Sequence, residues 1–512
     1  MMARVPPPRG STMARVDTWC AAALAAWAGA VAWWLMATGA RVTREDGFYY
    51  FQIARNVARG LGSTFDGIHP TNGYHPLWLA ALVPVYGAFP DAERGLAAAI
   101  AIQGLLFAAG AALLYRVLRG VAGPPASALG VLVWTGLAYR ESVSGLEFAV
   151  HSVCVLGAML LVSGWWRGAR EHWRAPAVGI ALALCTLARL DNVVLAALVG
   201  GWWWSRERGH AGDWRGLAAV ALPPLAAAAA YAAWSLLVFG HATPVSGAVK
   251  REWSEYLVLQ DPAYARGGIL LAKLGQLLWP FTALPSRYPL VLALGGYGAL
   301  AALAARVSAL RPFAPFAAWS AAQVAAAAVW FHGEVSFLGA PWYFAVQPLM
   351  AAVLVAAAAE GLHSHHRRAA GLVTAAGVVT AVAIAVEVGR WHARDPQRVT
   401  YEAADWARAN VPEDAVLASW HAGAVGYLSG RRVLNLDGLV NSWEFHERRR
   451  ADLCAYWREE NVAYVIDMFD GARPAVYEPT LATFAACRDR LEPAWTSVHG
   501  DGPWRVSAFR LR

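Results

Sequence analysis

Between residue 19 and about residue 388, long apolar runs return again and again, each closed by a short polar stretch. Runs of this length are what a helix needs to cross the hydrocarbon core of a bilayer, roughly 30 Å thick. The repetition predicts a polytopic α-helical membrane protein. A balance of 58% hydrophobic against 15% charged residues, with 26 Trp, agrees. The first run, Thr18–Ala40, is longer and richer in Trp than a signal-peptide core, so it reads as an uncleaved anchor, although Ala37–Ala40 is small enough for cleavage.

Orientation follows from arginine. The net charge is +8, Lys250 and Lys273 are the lysines, and many arginines sit in short loops. That pattern suits the positive-inside rule and gives no reason to read nucleic-acid binding. Arg4, Arg9 and Arg15 put the N-terminus in the cytoplasm. Crossings are predicted at about 19–40, 92–115, 125–139, 147–166, 175–188, 192–204, 217–239, 289–305, 313–331, 342–360 and 369–388. Residues 74–88 are short and contain Pro, so they read as an interfacial or re-entrant helix. Residues 240–268 read as an outer loop, and 269–283 as a second interfacial helix interrupted by prolines. About eleven crossings leave the tail on the outer face. The expected layout is a cytoplasmic tail at 1–18, a transmembrane domain at 19–390 with its first outer loop at 41–90, and an extracytoplasmic domain at 397–512, in a bacterial inner or plasma membrane.

The tail reads as a small α/β domain. Tyr401–Asn410 is helical, and Val416–Ser419, Val433–Leu436, Val462–Asp467 and Val506–Leu511 read as strands. Helices are expected at Glu444–Glu460 and Pro479–Arg490. Gly423, Gly426 and Gly430 lack the spacing of a nucleotide-binding loop. Cys454 and Cys487 either form a disulfide on the oxidising side or stand as two buried thiols.

Chemistry concentrates in Arg41–Trp78. Glu45 and Asp46 open the loop just beyond the first span, and Phe48, Tyr49, Phe51, Ile53, Val57 and Leu61 begin a helix with one greasy face directly after them. Such a helix would lie in the interface plane and hold the acids at the membrane–water boundary. An acid held there serves as a general base toward a hydroxyl, or helps to bind a divalent metal. The bland alternative is a polar flank to a span. The segment Thr71–Trp78 adds Asn72 and His75, and His69 precedes it. Each histidine reads as an acid–base or phosphate contact, or as a structural cap.

Other polar groups fall on the same face. Glu141 and Glu147 either pair with Arg140 or line a shared cavity. Arg189 either pairs internally with Asp191 or anchors a lipid-linked phosphate. Lys250 is a phosphate contact or a snorkelling lysine. Trp342 and Tyr343 suit a headgroup-level aromatic belt or a sugar-stacking platform. Snorkelling covers Glu334, Glu360 and Glu387 at span ends. His363, His365 and His366 read as part of a basic cytoplasmic turn, with metal binding the sharper alternative.

The acidic pair Glu45-Asp46, the aromatic helix after it, the step His75-Pro76-Leu77-Trp78, the paired short spans around Ala188–Asn192 and the outer tail together resemble the GT-C superfamily of polytopic membrane glycosyltransferases. Within it the pattern is most similar to bacterial enzymes of the dolichyl-phosphate-mannose-protein mannosyltransferase and aminoarabinose transferase type. The likeness covers residues 15–390 in layout and 41–78 in motif, and the order Glu-Asp departs from the Asp-Glu or Asp-Asp common in the family. The resemblance implies a polyprenyl-phosphate sugar donor, membrane lipids around the chain, and an acceptor that is glycan, lipid or protein. It also implies inverting displacement, with Asp46 first and Glu45 second as the base. Arg189 and Lys250 then become phosphate contacts, and Tyr49, Asn72, His75, Glu147, Trp342 and Tyr343 substrate-binding residues. Metal use varies in such enzymes; the adjacent acids leave room for a divalent ion, and no metal ligands are assigned. Two rival readings are a transporter or flippase of a lipid-linked solute, which would need internal repeats, and a non-enzymatic envelope scaffold.

Overall fold

A computed structural model of the chain describes residues 10–37, 42–168, 171–207, 213–260, 308–330, 341–365, 397–448, 452–470, 473–474, 486–499 and 505–512, with single positions at 375, 378, 382, 386 and 484. The membrane part is built from α1 (Gly10–Ala37), α2 (Glu45–Ala58), α3 (Pro76–Ala88), α4 (Ala92–Leu118), α5 (Pro124–Ser142), α6 (Phe148–Trp166), α7 (Arg174–Ala188), α8 (Val193–Glu207), α9 (Asp213–Phe239), α10 (Val245–Gln260), α11 (Ala314–Trp330) and α12 (Val346–His365). Local sequence sets the ends. Pro76 and Pro124 occupy first-turn positions, where a missing N–H costs nothing, and the Asp91 side chain caps α4 by accepting from the Arg94 N–H.

Four described helices are long and apolar enough to cross a membrane: Asp17–Ala37, Ala92–Leu118, Phe148–Trp166 and Trp214–Phe239. Pro76–Ala88, Arg174–Ala188 and Val346–Leu362 are apolar but shorter. The helices otherwise follow the expected runs closely, but the expected segments at 269–283 and 289–305 and most of 369–388 lie outside the described residues, as do Glu334, His366 and Glu387. The sequence reading of 240–268 as loop is corrected: α10 occupies its middle, carrying Lys250 on a helix. Glu360, expected to snorkel, instead accepts a hydrogen bond from the Gly123 N–H at 2.8 Å, closing the turn before α5.

The helix after the acids is also corrected. Its aromatic residues meet protein: Phe48, Phe51 and Ile53 are fully buried, and the Phe48 and Phe51 rings pack on Tyr427 of the tail at 5.6 and 6.0 Å. Residues of α2 therefore form a bridge between the membrane part and the tail.

The tail adds α13 (Arg398–Asn410), α14 (Ala422–Leu428), α15 (Trp443–Arg448) and α16 (Leu453–Glu459) around strands β1 (Val416–Ser419), β2 (Arg432–Asn435), β3 (Val462–Asp470), β4 (Arg473–Pro474), β5 (Leu491–Thr496) and β6 (Val506–Leu511). The sheet order is β2-β1-β3-β6-β5, with β4 on β3. Strands β2, β1 and β3 are parallel, joined by helical crossovers, and β6 and β5 continue antiparallel. The helix expected over Glu444–Glu460 is two short ones. Asp452 caps the second by accepting from the Ala455 N–H, a local bond that competes with a continuous helix. Of the helix expected over Pro479–Arg490, the described end is a 3-10 turn, Arg488–Arg490. Cys454 and Cys487 are joined, with Cα atoms 5.6 Å apart, tying α16 to that turn.

Candidate active site

The first outer loop reaches its place through two close backbone approaches. At Gly47 an added Cβ would stand 2.6 Å from the Ser144 carbonyl oxygen, so glycine lets the start of α2 rest on the turn between α5 and α6. At Gly73 it would stand 1.8 Å from the Leu439 carbonyl oxygen, so the loop and the tail touch backbone to backbone. Between these contacts opens a small cavity of about 50 Å³, lined by Asp46, Tyr49, Tyr50, Glu147 and Leu439 among others. It adjoins a larger, mainly apolar cavity of about 500 Å³ lined by Arg189, Pro244, Trp319, Gln323 and Phe344 among others. His75, Ser246, Lys250 and Tyr343 line both.

Eight of the sequence-predicted residues thus meet: Asp46, Tyr49, His75, Glu147, Arg189, Lys250, Trp342 and Tyr343. Their partners differ. Arg189, 2% exposed, gives one nitrogen to Glu147 Oε1 at 2.6 Å and two others to the Asp191 carboxylate at 3.2 and 3.3 Å. Two carboxylates compensate its charge, so the internal-pair reading holds for its hydrogen bonds. Lys250 Nζ donates to the Tyr343 hydroxyl and lies 3.9 Å from Asp46 Oδ2. The Tyr343 ring lies beneath both cations, 4.5 Å from Arg189 and 4.8 Å from Lys250, and Arg44 covers the Trp342 ring at 4.6 Å. These rings hold cations. Glu141 pairs with Arg44 through two hydrogen bonds of 3.0 and 2.6 Å.

His75 receives a long hydrogen bond of 3.5 Å from the Leu190 N–H at Nδ1 and turns Nε2 toward Glu147 Oε1, 3.8 Å away. Burial, reinforced by Arg189, pulls its pKa down to about 4, so the imidazole is neutral. Tyr50 donates to Glu147 Oε2 and accepts from the His75 N–H.

Two predicted residues turn elsewhere. Glu45 points away from Asp46 into the tail, where Oε1 accepts from the Ala424 N–H at 2.9 Å, and burial pushes its pKa up to about 8. Adjacent residues on a helix diverge by about 100°, which is why one acid faces the cavity and the other the tail. Asn72 is fully buried and bonded to Ser235, Thr243, Val245 and Trp443. His69 joins Asp66 and Glu460.

The tail reinforces this seam. Tyr49 donates to Asp437 Oδ2 at 2.7 Å. Asp467 accepts from the main-chain N–H groups of Trp420 and His421 and pairs with the His421 ring. Burial works against both charges of that pair, yet each carries the other: the His421 pKa is raised and the Asp467 pKa lowered.

Sequence reading missed Tyr50, Ser246, Trp319, Gln323 and Leu439. Two carried a signal: Tyr50 lies four residues after Asp46, and Lys250 four after Ser246, spacings that share a helix face. Trp319, Gln323 and Leu439 arrive from distant segments with no local mark.

The described residues bring no three His, Cys, Asp or Glu side chains together as metal ligands. Since Glu45 and Asp46 also diverge, the two acids as placed do not fit a shared metal.

The fold is similar to that of a solved oligosaccharyltransferase and a solved ArnT. The Archaeoglobus fulgidus oligosaccharyltransferase, solved with Zn and sulfate, superposes with a TM-score of 0.56 at 14% identity over 94% of this chain and 72% of that one. ArnT from Cupriavidus metallidurans bound to undecaprenyl phosphate gives a TM-score of 0.55 at 14% identity over 95% of this chain and 97% of that one. Residues 389–506 match a family described as a domain of unknown function, DUF8728. No curated protein matches by sequence.

Proposed function

We propose that the chain is a membrane glycosyltransferase that takes a sugar from a polyprenyl-phosphate carrier and transfers it to an acceptor hydroxyl at the extracytoplasmic face of a bacterial inner membrane. The observation that carries this reading is the junction of the two cavities at Lys250. On one side lies the Asp46 carboxylate in a small polar space; on the other lies an apolar space wide enough for the first units of a lipid chain. The fold shared with an ArnT that binds undecaprenyl phosphate supports the choice of carrier. The acids and tail face outward on the arginine pattern described above.

In this mechanism the acceptor hydroxyl loses its proton to Asp46 and its oxygen attacks the anomeric carbon. The bond from that carbon to the phosphate oxygen breaks, and the polyprenyl phosphate leaves with the electron pair. Lys250 meets the charge that develops on the phosphate. Arg189, compensated by Glu147 and Asp191, shapes the floor and holds the Tyr343 ring. Neutral His75 donates from Nε2. Holding acceptor and carrier at one junction supplies much of the rate.

The test is sugar transfer by the purified full-length protein in lipid nanodiscs, offered a panel of polyprenyl-phosphate sugars with radiolabelled sugar moieties. Transfer abolished by Asp46→Asn supports the reading; full transfer in that variant sinks it. For orientation, a periplasm-active reporter fused after residue 395 should be active.

A further inference from the structure

Asn72 uses every hydrogen-bonding position it has. Nδ2 donates to Ser235 Oγ at 2.8 Å and to the Thr243 carbonyl at 3.0 Å. Oδ1 accepts from the Val245 N–H at 2.9 Å and from Trp443 Nε1 at 3.2 Å. Two donors and two lone pairs are the full capacity of an amide side chain, and the residue is 0% exposed. No capacity is left for a substrate.

These four bonds join four separate pieces of the chain. Ser235 belongs to the last turn of α9, Thr243 to the connection after it, Val245 is the first residue of α10, and Trp443 opens α15 of the tail. Asn72 itself stands directly before Gly73, Tyr74 and His75, all of which line the small cavity. Capping the first N–H of α10 fixes the rotation and height at which that helix starts. Lys250 lies five residues along it, and Ser246 one. Farther along α10 the tail holds the helix, with Glu252 Oε2 3.4 Å from His446 Nδ1.

We infer that Asn72 is a positioning residue: it sets the register of α10 against the first outer loop, and so the distance from Lys250 to Asp46 across the site. The role of Lys250 in holding a lipid phosphate rests on the function proposed above; the register does not.

Two measurements on the full-length protein separate these claims. Spin labels at Leu61→Cys and Glu255→Cys, both exposed positions, with Cys20, Cys154 and Cys185 replaced by Ala, report the distance between loop and α10. Asn72→Ala should broaden that distribution. Undecaprenyl phosphate affinity should fall about tenfold in Asn72→Ala, the scale of a lost buried hydrogen bond, and no further when Asn72→Ala is added to Lys250→Met. Should Asn72→Ala fail to fold, Asn72→Asp keeps both acceptor bonds, loses the two donated ones, and is read in the same way. An unchanged distance distribution overturns the inference. So does a loss that multiplies with Lys250→Met, since a general structural defect would act independently. Wild-type protein that does not bind undecaprenyl phosphate sinks the functional reading, while the distance distribution still decides the role of Asn72.

Discussion

Lys250 Nζ stands 3.9 Å from Asp46 Oδ2, beyond hydrogen-bond range but within reach of its charge. The ammonium thus lies beside the carboxylate without donating to it. Glu147 and Asp191 are bonded to Arg189, Glu141 to Arg44, and Glu45 faces the tail. Among the described acids near the cavity, Asp46 is the one that faces Lys250 across it, and we propose it as the base on that ground.

Asp46→Asn should therefore lower transfer by roughly 100-fold or more, the usual contribution of a positioned base, with expression and melting temperature unchanged. Glu45→Gln should retain most activity. Turnover of the two variants on the same donor panel checks the assignment; the reverse order would make Glu45 the base.

Lys250→Met should weaken undecaprenyl phosphate binding about 10- to 100-fold, the range of a charge-assisted hydrogen bond. Lys250→Arg should recover part of it, because charge is kept while the fork of the guanidinium sits differently. Binding titration in nanodiscs measures both.

Arg189→Met should act on stability. Its removal strands Glu147, whose side chain is 3% exposed, in the interior. Breaking such a pair costs on the order of 3–5 kcal/mol, so a large drop in thermal midpoint is expected, and Arg189→Lys should not rescue it because one ammonium cannot span both carboxylates.

The seam between first loop and tail should loosen as pH rises. Glu45 has its folded pKa raised by burial to about 8, above the ordinary 4.5, so its contribution is complete below 4.5 and is lost as pH climbs through 8. His69, raised chiefly by its hydrogen bond to Asp66, changes in the same direction from above 6.5. Asp66 and Asp467 are lowered, so what they contribute is lost only below the usual carboxylate range. Limited proteolysis at pH 6, 7.5 and 9 should show faster release of the tail at the alkaline end, with a shallower rise in Glu45→Gln.

Reducing the Cys454–Cys487 bond, 33 residues apart in sequence, should destabilise the tail by about 3–4 kcal/mol on loop-closure entropy. Thermal melts of Cys454→Ser with and without reductant measure this; a melt insensitive to reductant only in the variant is the expected pattern.

Much of this protein was legible in one dimension because local chemistry decides it. Apolar runs declare membrane helices, since unpaired backbone cannot sit in lipid. The strands Val416–Ser419 and Val506–Leu511 appear with the ends read from their pattern, and Asp46 of the first loop lines the small cavity. Tertiary structure decided the rest. That Asp46 faces Lys250 while Glu45 faces Ala424 depends on what each side of α2 packs against, and no spacing in 41–78 says that the tail is one of those partners. Whether Arg189 holds a ligand or two carboxylates depends on Glu147, 42 residues away. Asn72, a substrate-binding residue on the resemblance, is a four-bond junction among segments as distant as Trp443. Charge and polarity are written residue by residue; which of them are consumed by the fold, and which are left for a substrate, is set by contacts between segments far apart in the chain.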